Sequence, residues 1–414
     1  MTDYFNPILS EYISAFRKGY SCQSILLKMV EDWKHALDSG NIVYALMIDL
    51  SKAFDTLPHN KFLCKLKQYG FSDSAEKLMN SYLSNRKQRV VLNACKSSWS
   101  DITCGVPQGS ILGPLIFNIY INDMYYNINE CSLYNYADDN TLGVISKTVI
   151  EVHSKMQIEA NNMMNWFNAN GMNANPSKFQ SMLMGDTSTL RISIDNHEIE
   201  NTTEVKSLGI IFDYKLKFDS HLKEICRSAA RQLNALRRLS SYLDENTRLV
   251  IYKSFILANF NYCPIIWHFC GVTNSRKIES IQKRALRFVF KDYTSTYDQL
   301  LQKASTSTLY LTRLRNIAIE SFKIMHNIGP SYLFNLLQEK EHTHNLRSDR
   351  NVNQPKCNTV SYGTNSFMYK GAKIWNNLPN ELKNCISLEQ FKKMIKTWNN
   401  PKCSCQMCTR LLTM

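Results

Sequence analysis

The sequence has 414 residues, of which 44% are hydrophobic and 20% are charged. This composition excludes an intrinsically disordered chain and is sufficient for two or three folded domains. The net charge of +14 and the pI near 9.1 favour a polyanionic partner, most often nucleic acid.

The first half of the sequence alternates between helical and strand patterns. Residues 16–40 are predicted to form a helix, and the nearly continuous apolar run 41–50 predicts a buried strand that ends in Asp49. The next predictions are a helix over 59–70, a hairpin over 86–109, a helix over 110–128, a hairpin over 133–146 with an Asp-Asp-Asn turn, a helix over 149–170, and strands over 176–185 and 206–218.

From residue 221 the pattern is helical. One apolar face contains Leu222, Ile225, Ala229, Leu233 and Leu236. Residues 213–292 contain 15 Lys and Arg against 7 Asp and Glu, and three arginines lie close to one stripe of the first helix: Arg227, Arg231 and Arg238. Such a stripe predicts a surface that follows a nucleic acid backbone; a solvated helix face is the alternative. Further helices are predicted over 309–328 and 387–398.

Two chain segments end in carboxylates that have no obvious counter-charge. Asp49 ends an apolar strand, and Asp138 and Asp139 lie at the tip of a hairpin in the stretch "YADD". If the strands are neighbours, the three carboxylates meet, and their mutual repulsion raises their pKa values unless a cation is bound. Mg²⁺ accepts carboxylate and phosphate oxygens together, so the pattern indicates a metal-dependent phosphoryl-transfer site. An ordinary Asp-Asp turn is the alternative.

Six ordered segments give this pattern a family context. "AFRKGYSCQSILL" (15–27), "DLSKAFDTLPH" (49–59), "GVPQGSILGPLIFNIYIND" (105–123) and "YADD" (136–139) closely resemble the fingers and central motifs of reverse transcriptases, particularly those of non-LTR (LINE-type) retrotransposons. "GMNANPSKFQSMLMG" (171–185) and "VKSLGIIFDYKLKFDSHL" (205–222) resemble the two palm motifs that follow. The resemblance is close over roughly 15–222 and looser to about 330.

The resemblance implies roles for eight residues. Asp49, Asp138 and Asp139 would be the catalytic carboxylates and the metal ligands, and Lys178 would protonate the leaving pyrophosphate. Phe54 would lie under the sugar and exclude a 2′-hydroxyl. Gln108 and Gly109 would contact the nucleotide, and Tyr136 would support the primer end. A core phenylalanine and a surface lysine are the alternatives for Phe54 and Lys178.

The resemblance also implies an α+β right-hand polymerase. Residues 1–220 would form the palm, with its antiparallel sheet and helices, and part of the fingers. Residues 221–300 would form a helical thumb, and 301–414 a helical C-terminal extension. Family members carry an upstream fingers block that is missing here, so an N-terminally truncated polymerase is expected.

The implied function is RNA-directed DNA synthesis. Two Mg²⁺ ions, or Mn²⁺ in their place, would serve as cofactors, with an RNA template, a DNA primer and dNTPs as partners. The alternative is a nucleic-acid-binding remnant without catalysis.

The remaining features concern location and the cysteines. The sequence has no signal-peptide pattern and no apolar run of the roughly 18 residues that a membrane span needs. Thirteen cysteines without a disulfide-like framework predict an intracellular, reduced protein, and the DNA target predicts a nuclear one. Cys403, Cys405 and Cys408 are clustered, but zinc prefers four ligands and the nearest histidine, His344, is distant, so zinc binding is left open.

Overall fold

The computed structural model describes residues 2–239, 241–340 and 350–399. Within these ranges no helix combines the length and apolarity that crossing a membrane requires. The chain divides into two compact units. Unit 1 comprises Met1–Ile25 and Gly40–Leu208, and unit 2 comprises Leu26–Ser39 and Gly209–Met414. His344 and the cysteine cluster Cys403, Cys405 and Cys408, for which zinc binding was left open, lie outside the described residues.

Helices dominate the described chain. In chain order they are α1 (Thr2–Phe5), α2 (Cys22–Asp38), α3 (Ala53–Thr56), α4 (His59–Gln68), α5 (Asp73–Leu83), α6 (Gly113–Ile121), α7 (Val149–Ala169), α8 (Asp219–Leu239), α9 (Glu245–Ile251), α10 (Ala258–Asn261), α11 (Gly271–Phe290), α12 (Tyr297–Lys303), α13 (Leu309–Met325), α14 (Phe367–Asn376), α15 (Asn380–Lys383) and α16 (Leu388–Met394).

The strands lie mainly in unit 1. They are β1 (Ile42–Ile48), β2 (Lys87–Gln88), β3 (Val91–Leu92), β4 (Cys95–Lys96), β5 (Ser100–Asp101), β6 (Ser132–Tyr136), β7 (Asp139–Ser146), β8 (Gln180–Met184), β9 (Arg191–Ile194), β10 (His197–Glu200), β11 (Glu204–Ser207) and β12 (Ile210–Asp213). The central sheet has the order β6-β7-β1-β8, and every neighbouring pair in it is antiparallel.

The core of unit 1 lies between this sheet and its helices. Tyr44, Leu46 and Ile48, on one face of β1, share a buried cluster with apolar residues of α6 and α7. The alternate β1 residues are buried too, which explains why the strand is apolar along its whole length. Burying each large apolar side chain contributes about 2 kcal/mol, so this packing fixes the position of the strand end that carries Asp49.

Unit 2 is predominantly helical. Leu222, Ala229, Leu233 and Leu236 of α8 are buried, as the apolar stripe predicts, while Ile225 is partly buried. The opposite face carries the predicted arginine stripe, where Arg227 and Arg231 both bind Glu224, at 2.8 Å and 3.2 Å. Glu224 therefore neutralises part of the basic face.

The structure confirms the α+β class and most of the predicted elements, and it corrects two of them. The turn of the 133–146 hairpin consists of Ala137 and Asp138, not Asp-Asp-Asn, because Asp139 already pairs with Tyr136 as the first residue of β7. The predicted strand 206–218 is two short strands separated at Leu208 and Gly209, both of which have positive φ. One boundary between the two compact units also lies between Leu208 and Gly209.

Candidate active site

The sheet register brings the predicted carboxylates to one edge. Ile48 pairs with Asn140, so Asp49, one residue beyond the end of β1, lies beside the position of Asp139. Asp139 pairs with Tyr136 across the hairpin, and Asp138 occupies the turn between them. The two carboxylate segments, far apart in sequence, therefore meet at the end of the β1–β7 pair.

Two asparagines hold the turn that carries Asp138. The buried side chain of Asn135 donates hydrogen bonds to the Ala137 carbonyl and to Asn140 Oδ1, both at 2.8 Å. Asn140 in turn donates to the Asp138 carbonyl at 3.1 Å. Ala137 has a φ of 56°, an uncommon value for a residue with a side chain, so these bonds offset the cost of a strained turn.

The electrostatics of the site are those of crowded carboxylates. Desolvation, followed by the charges of Asp138 and Asp49, raises the pKa of Asp139 to about 6, although part of Asp139 is exposed. A nearby cation stabilises the ionised form of such a carboxylate. Lys178 provides one such cation: its Nζ lies 3.3 Å from Asp49 Oδ2, and both side chains are about half exposed.

Backbone contacts place Lys178 near Asp49. The Asn175 N–H donates to the Asp49 carbonyl at 3.2 Å, and the Ser51 N–H donates to the Asn173 carbonyl at 2.8 Å. The short 3-10 helix Pro176–Lys178 follows directly. This segment explains how a lysine distant in sequence from Asp49 reaches the carboxylate site.

The donor set suits a hard divalent cation. Asp49 Oδ2 is a buried oxygen that accepts no hydrogen bond, and all three candidate ligands are carboxylates. In the described part of the chain, however, no three Asp, Glu, His or Cys side chains already stand close enough together to hold a metal. The residues therefore fit the chemistry of Mg²⁺ without forming a closed ligand set.

Phe54 lies in α3, five residues after Asp49. Its ring stacks on Phe117 of α6, with centroids 4.2 Å apart, and meets Phe16 edge-on at 6.2 Å. The side chain is only partly buried. The ring is thus fixed by aromatic packing on one side and remains accessible on another.

The Pro-Gln-Gly turn is joined to α3. Gln108 Nε2 donates to Asp55 Oδ1 at 2.8 Å, and the Val106 N–H donates to the Phe54 carbonyl at 2.8 Å. Gly105 has a φ of +81°, and a Cβ there would lie 2.5 Å from the Asp55 carbonyl oxygen, so only glycine allows this close approach. Gly109 is exposed and also has a positive φ, with open space around it.

The predicted residues thus form two groups in unit 1. Asp49, Asp138, Asp139, Lys178 and Tyr136 lie around the end of the β1–β7 pair, while Phe54, Gln108 and Gly109 belong to the α3 segment and the turn docked on it. The sequence prediction missed Asn135, Asn140 and Asp55. Asparagines that flank an Asp-Asp pair in "NYADDN" were the available signal, since Asn side chains often bind nearby backbone in turns.

Comparison with known proteins finds a family model for the first half of the chain and relatives that cover about two thirds of it. The family model for reverse transcriptase (RNA-dependent DNA polymerase) matches residues 1–212. A probable RNA-directed DNA polymerase from transposon X-element of Drosophila melanogaster is 27% identical over 303 residues, covering 68% of this chain and 32% of that protein. The RNA-directed DNA polymerase from mobile element jockey of Drosophila funebris is 26% identical over 287 residues, covering 66% and 31%.

The chain therefore spans about a third of the length of these relatives. Among solved structures, telomerase from Candida albicans in complex with a TWJ fragment of telomeric RNA is similar with a TM-score of 0.41 and 11% identity. That alignment covers 74% of this chain and 57% of the telomerase chain.

Proposed function

Because the chain belongs to the reverse transcriptase (RNA-dependent DNA polymerase) family, we propose that it catalyses RNA-directed DNA synthesis, adding dNTPs to a primer 3′-OH. Its relatives are polymerases of non-LTR retrotransposons. The observation that carries the proposal is the meeting of Asp49, Asp138 and Asp139 at one edge of the central sheet, where desolvation and the charges of Asp138 and Asp49 raise the pKa of Asp139.

Divalent metal ions are used by this family in general, and we propose two Mg²⁺ ions here, replaceable by Mn²⁺. Asp49 and Asp138 would be the principal ligands, with Asp139 as the third carboxylate. When bound, the ions would stabilise the charge on the attacking and leaving oxygens of an in-line phosphoryl displacement. Asp49 Oδ2 supports this assignment, because this buried oxygen accepts no hydrogen bond and is already paired with a cation, the Lys178 ammonium at 3.3 Å.

The protein's own side chains would position the reactants and move the proton. Lys178, close to Asp49, would donate a proton to the leaving pyrophosphate. The accessible side of the Phe54 ring would exclude a 2′-hydroxyl, and Tyr136, beside Asp139, would support the primer end. Gln108 and Gly109 would line the path of the nucleotide and the template.

The partners that follow from this proposal are an RNA template, a DNA primer and dNTPs, and a DNA product would place the protein in the nucleus. The rival function is nucleic-acid binding without catalysis, which the basic residues of the 213–292 region would equally support. Binding experiments alone do not separate these two functions, because both predict salt-sensitive binding to a primer–template.

Primer extension separates them. A DNA primer annealed to RNA should be extended in Mg²⁺ by the wild type, and Asp138→Asn should reduce the rate by at least about a hundredfold, since a charged ligand becomes neutral. Asp195→Asn, in the exposed β9–β10 turn, is the matched control and should extend normally. Primer extension at the same rate by the wild type and by Asp138→Asn would contradict the assignment of Asp138 as a metal ligand.

A further inference from the structure

A cavity of about 320 Å³ lies within unit 2, at the start of α11. Its walls are the segment 269–274, which leads into this helix, the loop 215–217, Asp219, Lys34 of α2, and two residues further along the chain, Ser361 and Asn365. None of the proposed catalytic residues lines this cavity. The proposed chemistry therefore does not account for it.

Three lysines line the cavity, and one of them is buried. Lys34 is 1% exposed, whereas Lys215 and Lys217 lie on the surface. The Lys34 ammonium donates a hydrogen bond to the Asn365 carbonyl at 2.6 Å and lies 4.4 Å from the centre of the Phe269 ring. Burial lowers the pKa of Lys34 to about 8, so a bound anion would stabilise its charged form.

The acids around these lysines are engaged elsewhere. Asp219, the one acid among the described residues that line the cavity, accepts a hydrogen bond from the Asn274 side chain at 2.6 Å. Glu31, one turn before Lys34 on α2, offsets part of the lysine charge, but its oxygens accept hydrogen bonds from two backbone N–H groups at the start of α14. Across the described ranges, none of the three lysines lies within ion-pair distance of a carboxylate. The cavity thus has a surplus of positive charge.

The start of α11 adds to this surplus. The helix has 20 residues, and its N-cap residue, Cys270, makes no side-chain hydrogen bond to the first turn. The N–H groups at the start of a helix attract anions, and the helix dipole strengthens the effect. Arg313, which is 1% exposed, donates from Nη2 to Ser275 of the same helix at 2.9 Å, while its Nε and Nη1 have no hydrogen-bond partner. A second buried cation therefore lies near this end of α11.

We propose that this cavity binds a small phosphate, either inorganic phosphate or the phosphate group of a small monoester. A tetrahedral dianion matches three ammonium groups and a helix N-terminus around one space, and the volume is at the lower end of the range for small-molecule sites. A nucleic acid backbone fits less well, because each phosphodiester has one negative charge and a sugar on either side. Contact with the buried Lys34 would require both sugars to enter the cavity. The inference does not depend on the proposed function.

The test is a titration of the intact chain with inorganic phosphate, followed by the broadening of the phosphorus NMR line. EDTA removes divalent cations, so that phosphate cannot bind through metal at the carboxylate site, and KCl keeps the ionic strength constant. We expect saturable binding that chloride does not replace. Glycerol phosphate, a small monoester, is titrated in parallel. Binding of both ligands identifies a monoester site, binding of phosphate alone identifies the free anion as the ligand, and either result supports the proposal.

Variants of the lysines test the location. Lys34→Met and Lys217→Ala should each weaken phosphate binding at least about tenfold, since each removes a charge-assisted hydrogen bond. Lys217→Arg keeps the charge and should bind phosphate as the wild type does. Lys392→Ala, an exposed lysine of α16 outside the cavity, is the matched control. Because Lys217 is exposed, its variants should fold even if Lys34→Met does not, and differential scanning fluorimetry checks this.

The proposal is overturned if phosphate binding does not saturate, or if Lys217→Ala binds phosphate as tightly as the wild type. It is also overturned if an RNA oligonucleotide without a terminal phosphate displaces phosphate from the wild type, because the cavity would then accept a nucleic acid backbone. A chain that binds phosphate through Lys217 but fails to extend a primer would contradict the proposed function and leave the cavity assignment standing.

Discussion

Ionisation of Asp139 is unfavourable in the folded protein, because the side chain is partly desolvated and lies beside two other carboxylates. Desolvation and the charges of Asp138 and Asp49 raise its pKa to about 6, so the folded protein binds a proton there more tightly than the unfolded chain does. In the absence of metal, stability is therefore lost as the pH rises from about 4 to 6, and the ionised site is destabilising at neutral pH.

Asp139→Asn should consequently raise the melting temperature of the metal-free protein at pH 7, because the substitution removes one of three repelling charges. Added Mg²⁺ should raise the melting temperature of the wild type more than that of the variant. Differential scanning fluorimetry in EDTA and in Mg²⁺ measures both effects. A lower melting temperature for Asp139→Asn in EDTA would show that repulsion is not the dominant interaction of this carboxylate.

The meeting of the three carboxylates was easier to predict from sequence than the contacts that hold the segments around them. Residue type and motif order pointed to Asp49, Asp138 and Asp139, because acidic residues at strand ends are conspicuous, and the sheet register brings them to one edge. The bond between Asp55 and Gln108 joins two segments that are distant in sequence, so no local pattern indicates it. The register that sets Ile48 opposite Asn140 likewise depends on packing of the whole sheet.

At the scale of elements, α2 is tied to the C-terminal part of unit 2 through its charged residues. Asp38 accepts hydrogen bonds from the Asn358 N–H, the Thr359 N–H and the Thr359 hydroxyl, at 3.1, 2.7 and 2.7 Å. Glu31 accepts from the N–H groups of Phe367 and Met368, at the start of α14. An N-terminal helix and the C-terminal extension are thus parts of one folded unit.

Asp38→Ala should lower the free energy of unfolding by about 1–3 kcal/mol, because three donors lose a charged acceptor. Asp32→Ala, on the same helix, removes a pair with Lys28 at 2.7 Å and should cost no more than about 0.5 kcal/mol. Urea unfolding of both variants checks the difference. Equal effects of the two substitutions would show that the contacts of Asp38 add nothing beyond a surface ion pair.

The effect of Asp38 should also depend on pH. Burial alone would raise its pKa, but the hydrogen bonds from Thr359 and Asn358 outweigh burial and lower the pKa below the usual 3.8. Its contribution to stability is therefore present above pH 4 and lost as the pH falls through the lowered pKa. The stability difference between wild type and Asp38→Ala should shrink accordingly in acid.

Elements with strong periodicity were predicted well, and short ones were not. The long apolar pattern identified β1 and α7, whereas α5 and the β9–β10 hairpin were missed. Both had usable signals: Ser72 caps α5 by accepting from the Ala75 N–H, and Ile192 and Ile194 alternate with polar residues before an Asp-Asn turn. The association of α2 with the C-terminal segment could not be predicted, because tertiary contacts alone determine it.

Over the whole molecule, the net charge and the position of the acidic cluster both fit a protein that acts on a polyanion. The net charge of +14 suits a polyanionic partner, and the carboxylates at the sheet edge are a local exception to it. Acidic residues concentrated in a basic protein would repel nucleic acid phosphates unless cations intervened. The carboxylates therefore fit the metal-dependent chemistry proposed above.

The most direct measurement is single-nucleotide incorporation by the wild type on RNA templates that differ only in the base to be copied. We expect Mg²⁺-dependent addition of the complementary dNTP, with the corresponding ribonucleotide excluded by Phe54. Absence of incorporation, with salt-sensitive binding to the same primer–template retained, would contradict the proposed function and identify a polymerase fold that binds nucleic acid without copying it.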